Sequence, residues 1–357
     1  MHGRGLILTT LALAAGVAAA QPERSDADEV LAADLTLDAS ELDARTAWRF
    51  RGAILTHEND GSFVEPFDDD DRHYTSGSKI DLVFEPGFDA ETREFLAPAG
   101  RWPDAKLALG IVIAQHIYTA SDIEVTNPDP DDRPYAGYLY AGVYVQRATE
   151  RVHDHFELDV GVVGSWSLAE DAQRFIHGLP GQVEPKGWSS QLANELAINF
   201  RFQRSWKTGV GEWAGLEFDA IPRLGFDVGN VFIRGNTDLT VRMGKHLPGD
   251  FGPGRLLDYR DATGAWAEAW GAYLYARAGA RVVGRNIFLD GNTLADSRST
   301  DPERVVGELE VGLRAAFELW GGDLEIGYGW TIFSHEYRAQ SDRDTVGALS
   351  VGWIKRF

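Results

Sequence analysis

VGALSVGWIKRF, residues 346–357, alternates apolar side chains with small or polar ones. Successive residues of a β-strand point to opposite faces, so the apolar side chains of this stretch share one face. Lys355 interrupts that face near its end. The pattern predicts a final strand with one apolar surface, and the chain stops on an aromatic residue. The apolar surface carries Leu349, Val351, Trp353 and Phe357.

The same period of two residues recurs along most of the chain. Apolar residues occupy every second position in 156–162, 196–202, 309–319 and 324–332, and charged, polar or small residues lie between them. Segments of this length are typical of tilted strands that span a membrane. The sequence predicts about twelve strands. They lie near 47–58, 74–85, 105–117, 135–148, 155–166, 189–204, 212–226, 230–246, 265–284, 304–319, 322–334 and 343–357.

The alternation alone does not decide which face of the sheet is inside. A soluble sandwich buries its apolar face, whereas a membrane barrel turns that face to lipid and keeps its interior polar. Residues 1–20 resemble a secretory signal, because Arg4 precedes an apolar run and Ala18–Ala20 fit the small-residue cleavage rule, with Gln21 as the new N-terminus. Phe357 resembles the terminal signal of outer-membrane barrels, which predicts recognition by the barrel-assembly machinery.

We therefore predict an all-β protein, an antiparallel transmembrane β-barrel over residues 47–357, preceded by a mobile leader or a short plug-like segment over residues 21–46. A barrel of about twelve strands has a narrow interior that side chains largely fill. The connections 86–104 and 247–264 are longer than the usual short periplasmic turns. We expect a packed polar network inside the barrel rather than a wide pore. Its predicted members are Glu157, Asp159, Glu195, Arg201, Glu310 and Arg314.

The composition excludes several classes of function. The formal net charge is -21, which argues against nucleic acid as a partner. The chain has no cysteine, so disulfide and thiolate chemistry are impossible. An exported protein that acts at the outer membrane and contacts its lipids remains consistent with both facts.

In the predicted topology, the chemically unusual residues collect at one rim of the barrel. His57–Asp60 end the first strand, Tyr74 and Thr75 begin the second, and Arg133–Gly137 begin the fourth. A scatter over both rims would be expected if these residues had no shared role. The aspartate run Asp68–Asp71 lies in the first loop of this rim, and we interpret it as a solvated loop without a direct role.

Residues 165–181, SWSLAEDAQRFIHGLPG, predict a short helix in a loop at the same rim. Ser167 and Glu170 have the spacing of a capping box. Gly178, followed by Pro180, fits the end of a helix. The helix is therefore expected to begin after Ser167 and to end before Gly178.

Gln173 and His177 are four residues apart and lie on the same face of this helix. A loop histidine is most often a bystander. Here it shares a helix face with an amide and a rim with acidic residues, which favours a functional role. The spacing predicts an imidazole and an amide at the mouth of the barrel. The ordinary pKa of histidine suits the removal of a proton from water near neutral pH.

Eight stretches together resemble the outer-membrane lipid A 3'-O-deacylase family. The resemblance runs in order through most of the chain and implies a twelve-stranded barrel that uses calcium to remove an ester-linked acyl chain from lipid A. It also implies a site near the outer rim that faces the outer leaflet. The stretches are ENDG (58–61), DRHYTSG (71–77), QHIYTAS (115–121), DRPYAGYLYAG (132–142), VGVVGSW (160–166), QRFIHGLPG (173–181), GWSSQLANE (187–195) and GRNIFLDGN (284–292).

The resemblance implies roles for individual residues. Asn59 and Asp60 match the family's calcium-associated pair, and Thr75 matches its site threonine. Gln173 and His177 match its glutamine and its catalytic histidine. Calcium prefers carboxylate and carbonyl oxygens, which Asp60 and Asn59 supply, and it would stabilise the oxyanion that forms during ester hydrolysis.

Glu184 lies near the position of a further site glutamate, and either Gln173 or Glu184 is expected to orient the imidazole or the water. The sequence has no Gly-x-Ser-x-Gly elbow, so direct attack by water activated by His177 is favoured over a serine nucleophile. Three alternatives stay open. They are a serine-dependent outer-membrane phospholipase, a narrow channel or structural barrel without enzymatic activity, and a soluble periplasmic binding barrel.

Overall fold

The computed structural model describes residues 48–60, 73–178, 183–256 and 259–356, and thirteen β-strands account for more than half of these described residues. The predicted signal peptide, the predicted leader, the Asp68–Asp71 run and Phe357 lie outside these residues. The strands are β1 (Arg49–Asn59), β2 (Tyr74–Glu85), β3 (Lys106–Tyr118), β4 (Ala136–Ala148), β5 (Val152–Val163), β6 (Glu195–Trp206), β7 (Thr208–Trp213), β8 (Leu216–Gly229), β9 (Phe232–Lys245), β10 (Trp270–Asn286), β11 (Val305–Leu319), β12 (Gly322–Phe333) and β13 (Thr345–Lys355). The helices are α1 (Ala90–Leu96), α2 (Ala169–His177) and α3 (Ile287–Asp290), with 3-10 helices over Ser165–Ser167 and Gly187–Ser190. Within the described residues, no helix has the length and apolar character needed to cross a membrane.

The strands form one closed antiparallel sheet. Strands that follow one another in the chain pair from β1 to β6 and from β7 to β13, and β13 pairs with β1. β6 also pairs with β8, and this pairing closes the sheet. β6 and β7 lie along the same side of β8 and are separated by Lys207, so together they occupy one position. The predicted barrel of twelve strands is therefore confirmed.

Two predicted boundaries around the sixth strand are wrong. This strand begins at Glu195 and not at residue 189, because Gly187–Ser190 form a 3-10 helix. Gln191 therefore precedes the strand instead of belonging to it. The fifth strand covers Val152–Val163 rather than 155–166, since the 3-10 helix Ser165–Ser167 follows it. The differences at the end of the fifth strand and at the start of the sixth arise where the chain leaves the sheet to form the loop that carries α2.

The predicted seventh strand also began too early. Glu212 and Trp213 belong to β7, and β8 begins at Leu216. Between them, Ala214 and Gly215 have φ values of 52° and 74°. Two consecutive residues with positive φ are typical of the tight hairpin turns whose twist matches that of paired strands. An alanine at the first of these positions gave no turn signal in the sequence.

Charged side chains fill the interior of the barrel. Arg201 donates hydrogen bonds to Glu157 (3.0 Å) and Asp227 (2.8 Å), and it lies 3.6 Å from Asp159. The residues that alternate with these face outward, and Leu158 is 50% exposed. The polar network predicted for the interior is confirmed, because every predicted member is buried. These members are Glu157, Asp159, Glu195, Arg201, Glu310 and Arg314.

The long connection between β9 and β10 folds into the barrel, and we call its described residues, 246–256 and 259–269, the plug. Lys79 Nζ donates to the carbonyl of Arg255 (2.8 Å), and the Leu256 amide donates to Glu58 Oε1 (2.7 Å). Both Lys79 and Glu58 are interior residues of β2 and β1. The plug therefore occupies the lumen, which explains the unusual length of this connection.

An aromatic cluster fills the lumen next to Leu256 of the plug. α3 contributes Phe288, which is fully buried. Its ring stacks on Tyr118 with centroids 4.1 Å apart and also contacts Tyr138 and Phe232. The described part of the lumen is thus filled by the plug, by ion pairs and by aromatic rings. This arrangement argues against the channel alternative.

Replacement of Arg201 by alanine is expected to destabilise the barrel strongly. The change leaves the buried carboxylates of Glu157 and Asp227 without their shared cation, which typically costs about 3–5 kcal/mol. Arg338→Ala is the matched control, because its ion pair with Asp301 is exposed and is worth at most about 1 kcal/mol. Guanidinium unfolding in detergent micelles measures both free energies of unfolding. Equal losses in the two variants would contradict a buried network that holds the barrel together.

Candidate active site

The predicted site residues collect at one rim, which we call the upper rim. It comprises the end of β1, the start of β2, the end of β3 and the start of β4. Asn59 and Asp60 lie beside Thr75 at this rim, and the loop after β5 carries α2 there. The prediction that these segments share a rim is confirmed.

A β-bulge at the start of β2 positions Thr75. The register of β2 against β3 shifts between Tyr74 and Ser76, which leaves Thr75 as the extra residue. The carbonyl of Thr75 accepts hydrogen bonds from Asn59 Nδ2 (3.0 Å) and from the Asp60 amide (3.3 Å). These bonds hold Asn59, Asp60 and Thr75 together at the junction of β1 and β2.

Direct contacts lead from Thr75 towards α2. Thr75 Oγ1 and Thr119 Oγ1 are hydrogen-bonded at 2.7 Å, and both residues are buried. Ala120, the next residue after Thr119, packs in one apolar cluster with Ala169 of α2 and with Trp188. The predicted site residues of β1 and β2 are therefore connected to the helix that carries Gln173 and His177.

Helix α2 packs against the outside of the barrel. On β3 the even-numbered residue His116 contacts interior aromatic rings, so Gln115 and Ile117 face outward. Gln115 Nε2 donates to the carbonyl of Ser167 just before α2 (2.7 Å). Ile117 shares an apolar cluster with Ala169 in the first turn of the helix. The loop after β5 thus folds back over the outer surface of β3.

The predicted location of Gln173 and His177 at the mouth of the barrel is consequently wrong, because α2 lies on the outer wall. Gln173 is 2% exposed, and its Oε1 accepts a hydrogen bond from Trp188 Nε1 (2.8 Å). Its Nε2 is buried without a hydrogen-bond partner among the described residues. An unpaired buried donor is costly, so this nitrogen is available to an acceptor atom.

His177 ends α2 and is partly exposed. Its Nδ1 lies 2.5 Å from the carbonyl oxygen of Val183. A carbonyl oxygen only accepts hydrogen bonds, so Nδ1 carries the proton and the neutral ring keeps its basic lone pair on Nε2. Glu184 is adjacent to Val183 in the chain and is exposed. The structure thus places Glu184 one residue from the carbonyl that fixes the imidazole.

The predicted capping box is not formed. Leu168 precedes α2 with a φ of 58° and provides no side-chain cap. Ser167 Oγ instead donates to a backbone carbonyl (2.6 Å), and Glu170 forms an ion pair with Arg174 (2.9 Å). The predicted helix end is confirmed, because the Gly178 amide donates to the carbonyl of Arg174 (2.9 Å).

Large apolar side chains surround this site on the surface. Phe175 of α2 is 78% exposed, and Ile176 and Trp166 are also exposed. A short helix with exposed aromatic and aliphatic side chains is typical of the boundary between lipid headgroups and acyl chains. The site therefore opens towards lipid rather than towards the barrel interior.

The oxygen donors near Asp60 suit a hard cation. The carboxylate of Asp60, the amide oxygen of Asn59 and the hydroxyl of Thr75 are ligand types that Ca²⁺ accepts. The described ranges contain no group of three or more His, Cys, Asp or Glu side chains arranged to hold a metal ion. A cation at Asp60 would therefore take most of its ligands from amide, hydroxyl, main-chain or water oxygens. Such a donor set fits calcium better than zinc or another transition metal.

A buried histidine beside the site was not predicted. His73 has a φ of 62°, and its Nδ1 lies 2.5 Å from Asp344 Oδ1. Its Nε2 contacts Ser121 Oγ (2.8 Å) and Tyr337 Oη (2.7 Å). A strained left-handed backbone persists where surrounding contacts determine it. The carbonyl of His73 accepts a hydrogen bond from the Thr119 amide (2.9 Å), so this network also supports the strand ends at the site.

The order Asp344–His73–Ser121 resembles the acid, base and nucleophile of a serine hydrolase. The surroundings of Ser121 do not suit that role. Both its amide (2.7 Å) and its Oγ (3.0 Å) donate to Asp132. A carboxylate beside the attacked carbon would oppose the negative charge of a tetrahedral intermediate. The network is therefore a structural connection between three segments of the upper rim. They are the segment before β2, the loop after β3 and the loop between β12 and β13.

The fold and the site together define a class of protein. A closed antiparallel barrel with a charged, filled interior and an apolar exterior is a barrel of the outer membrane, and its polar site lies on the lipid-facing wall. The family described as "Outer membrane protein LpxR" matches residues 6–354, so the chain belongs to the LpxR family of outer membrane proteins. Membership of this family supports an outer-membrane enzyme that modifies lipid A.

Similarity to one solved structure supports the same fold. LpxR from Salmonella typhimurium is similar with a TM-score of 0.66 and 20% sequence identity, over 85% of this chain and 99% of that chain. The beta domain of the Bordetella autotransporter BrkA has a TM-score of 0.40 and 12% identity, over 86% of this chain and 99% of that chain. Among curated proteins, none matches the chain.

Acidification is expected to loosen the loops of the upper rim. Burial alone raises the pKa of Glu336, but the charges of Arg133 and Arg281 bring it below its ordinary value. Burial likewise opposes ionisation of Asp132, and hydrogen bonds from Tyr337 and Ser121 bring its pKa below the ordinary value. Carboxyls with lowered pKa stabilise the fold above about pH 4 and lose that contribution as the pH falls further.

Hydrogen exchange, corrected for the intrinsic rate, measures this effect in residues 119–135 and 334–344. We expect protection at pH 6 that decreases below about pH 4. Glu336→Gln is expected to lower protection at pH 6 and to reduce the further loss on acidification. Protection that is independent of pH in the unmodified protein would contradict the stabilising role of these carboxylates.

Proposed function

We propose that this protein is a calcium-dependent ester hydrolase that removes an ester-linked acyl chain from lipid A in the outer leaflet of the outer membrane. The observation that carries the proposal is the location of the site. The cluster of Asn59, Asp60 and Thr75 is connected through Thr119 and Ala120 to the helix with Gln173 and His177, which packs on the outer wall. A lipid can reach such a site without leaving the membrane.

The filled interior supports this location. The plug and the aromatic cluster occupy the described part of the lumen. A substrate with several acyl chains would have to bring its ester group to the exterior near a rim. Exposed Phe175, Ile176 and Trp166 beside the site provide a surface that suits acyl chains.

His177 is the proposed general base. With Nδ1 bonded to the Val183 carbonyl, its Nε2 accepts a proton from water as the water oxygen attacks the ester carbonyl carbon. The resulting imidazolium keeps its Nδ1 hydrogen bond. When the bond between the acyl carbon and the sugar oxygen breaks, Nε2 returns the proton to that oxygen. The products are a fatty acid and a free sugar hydroxyl.

Gln173 is the proposed orienting group. Its buried Nε2 donates a hydrogen bond to the attacking water, and its Oε1 is held by Trp188. Asn59, Asp60 and Thr75 would hold calcium, which supplies positive charge near the carbonyl oxygen that becomes negative. Glu184 is adjacent to the carbonyl that anchors His177, so we propose that it supports the orientation of the loop and the ring.

The central experiment is mass spectrometry of lipid A incubated with the purified protein, with calcium or with a chelator. We expect loss of one ester-linked acyl chain that depends on calcium. His177→Ala is expected to reduce the rate by roughly 10²–10⁴-fold, because general base catalysis contributes about that factor. Asp60→Ala is expected to raise the calcium concentration that gives half of the maximal rate.

Intact lipid A after incubation with folded protein and calcium would overturn the proposal. Full activity of His177→Ala would leave hydrolysis without the proposed base. Hydrolysis of a glycerophospholipid in place of lipid A would support the phospholipase alternative. Stable ion conductance without hydrolysis would support the channel alternative.

The Ser121→Ala variant tests whether hydrolysis depends on His177 or on the arrangement of Asp344, His73 and Ser121. Because Asp132 engages both the amide and the hydroxyl of Ser121, we expect this variant to retain activity within about tenfold of the unmodified protein. His177→Ala is the matched comparison in the same assay. Complete loss of activity in a folded Ser121→Ala variant, together with covalent labelling of Ser121 by a fluorophosphonate, would instead indicate a serine nucleophile.

A further inference from the structure

The exterior of β1, β2 and β3 carries polar side chains near the upper rim. Outward-facing residues of the flanking strands, such as Leu139 of β4 and Leu349 of β13, are apolar. On β1 to β3, by contrast, a group of polar residues alternates with the buried interior residues. We call this group the exterior polar patch, and it comprises His57, Ser76, Ser78 and Gln115.

The strand register places three of these residues in one row. His57 pairs with Ser78, and Ser78 pairs with Gln115. The same row continues into Leu349 beyond His57 and into Leu139 beyond Gln115. The polar row is therefore three strands wide and has leucine on both sides. Its width and its borders indicate a localised binding surface rather than a general loss of apolar character near the rim.

The next outward-facing row towards the middle of the barrel is entirely apolar. Leu55 pairs with Ile80, and Ile80 pairs with Ile113. These residues are 52%, 44% and 49% exposed. Two residues along a strand correspond to roughly 7 Å. The exterior of β1 to β3 therefore changes from polar to apolar within roughly 7 Å along the strands.

Polar side chains on the lipid-facing wall of a barrel are costly and commonly mark function. His57 Nδ1 is hydrogen-bonded to Ser78 Oγ (2.9 Å), which keeps the two side chains together on the surface. Gln115 is joined to the segment before α2 through the Ser167 carbonyl. The row thus lies between the proposed reaction centre at the rim and the apolar wall below it, and it extends under the start of α2.

We propose that the exterior polar patch binds the acyl linkages of lipid A that neighbour the hydrolysed ester, through their ester or amide carbonyls and hydroxyl groups. Leu55, Ile80 and Ile113 then contact the acyl chains below these linkages. The proposal rests on the proposed function, because it assigns the substrate-binding part of the same site. It makes His57 and Ser78 binding residues that position the substrate, distinct from the groups that act on the reacting ester.

His57→Leu is the principal test. It replaces a polar side chain on the wall by the residue found at both ends of the row. We expect KM for lipid A to rise roughly three- to tenfold, which corresponds to one lost hydrogen bond, while kcat stays within about twofold. Thr237→Val is the matched control. It also replaces an exposed polar residue by an apolar one on the exterior, but on β9, away from β1 to β3.

A binding measurement separates this proposal from the proposed function. Lipid A that remains bound through detergent exchange is quantified by mass spectrometry in His177→Ala, alone and combined with His57→Leu or Thr237→Val. A glycerophospholipid of the same chain length provides a second arm. We expect His57→Leu, and not Thr237→Val, to lower retention of lipid A three- to tenfold, with little change in retention of the glycerophospholipid.

The outcomes distinguish the two hypotheses. If lipid A is never hydrolysed but its retention depends on His57, the proposed function fails and the binding surface stands. If lipid A is hydrolysed and His57→Leu changes neither KM nor retention, the binding surface is overturned and the proposed function stands. A fall in kcat at unchanged KM would also overturn the proposal, because His57 would then act in the chemical step. An equal loss of both lipids would exclude selectivity for lipid A.

Discussion

Closure of the sheet is the constraint on which the rest of this structure depends. Lipid offers no hydrogen-bond partner to backbone N–H and C=O groups, so strands that cross a membrane must satisfy one another. Pairing of β1 with β13 and of β6 with β8 leaves the sheet without an open edge between these strands. Once the apolar side chains face lipid, every alternate side chain enters a narrow interior and must be paired there. Arg201 with its carboxylates and the plug meet this requirement.

A filled interior changes where a reaction can occur. With the lumen occupied, the proposed site has the outer surface of β1 to β3 and the folded-back helix α2 as its two sides. The β-bulge at Thr75 and the strained backbone of His73 both lie at this junction. The irregular parts of the wall are thus concentrated where polar groups must be presented to lipid, while the regular strands elsewhere maintain the barrier.

The period of two residues was sufficient to predict the number of strands and which side chains share a face, because both depend only on alternation. The signal-like residues 1–20 and the terminal Phe357 were needed to predict a membrane barrel with the charged face inside. The same reasoning could not place α2. Whether a loop enters the lumen or folds over the wall depends on contacts such as Gln115 with the Ser167 carbonyl, which join residues 52 positions apart. The strand boundary at Glu195 was missed because Gly187–Ser190 form a helix of one turn. His73 was missed because its partners Ser121, Tyr337 and Asp344 come from two distant loops.

The contact between the plug and Glu58 has a consequence for biogenesis. Glu58 precedes Asn59 on β1, and its carboxylate accepts the amide of Leu256, a residue 198 positions later in the chain. The contacts of β1, which carries Asn59, are therefore complete only after the second half of the polypeptide has been delivered and the plug has entered the lumen. During export and insertion, an unfinished barrel would lack this support for the site. The protein then becomes able to act on membrane lipids only late in assembly, after it has reached the membrane in which it acts.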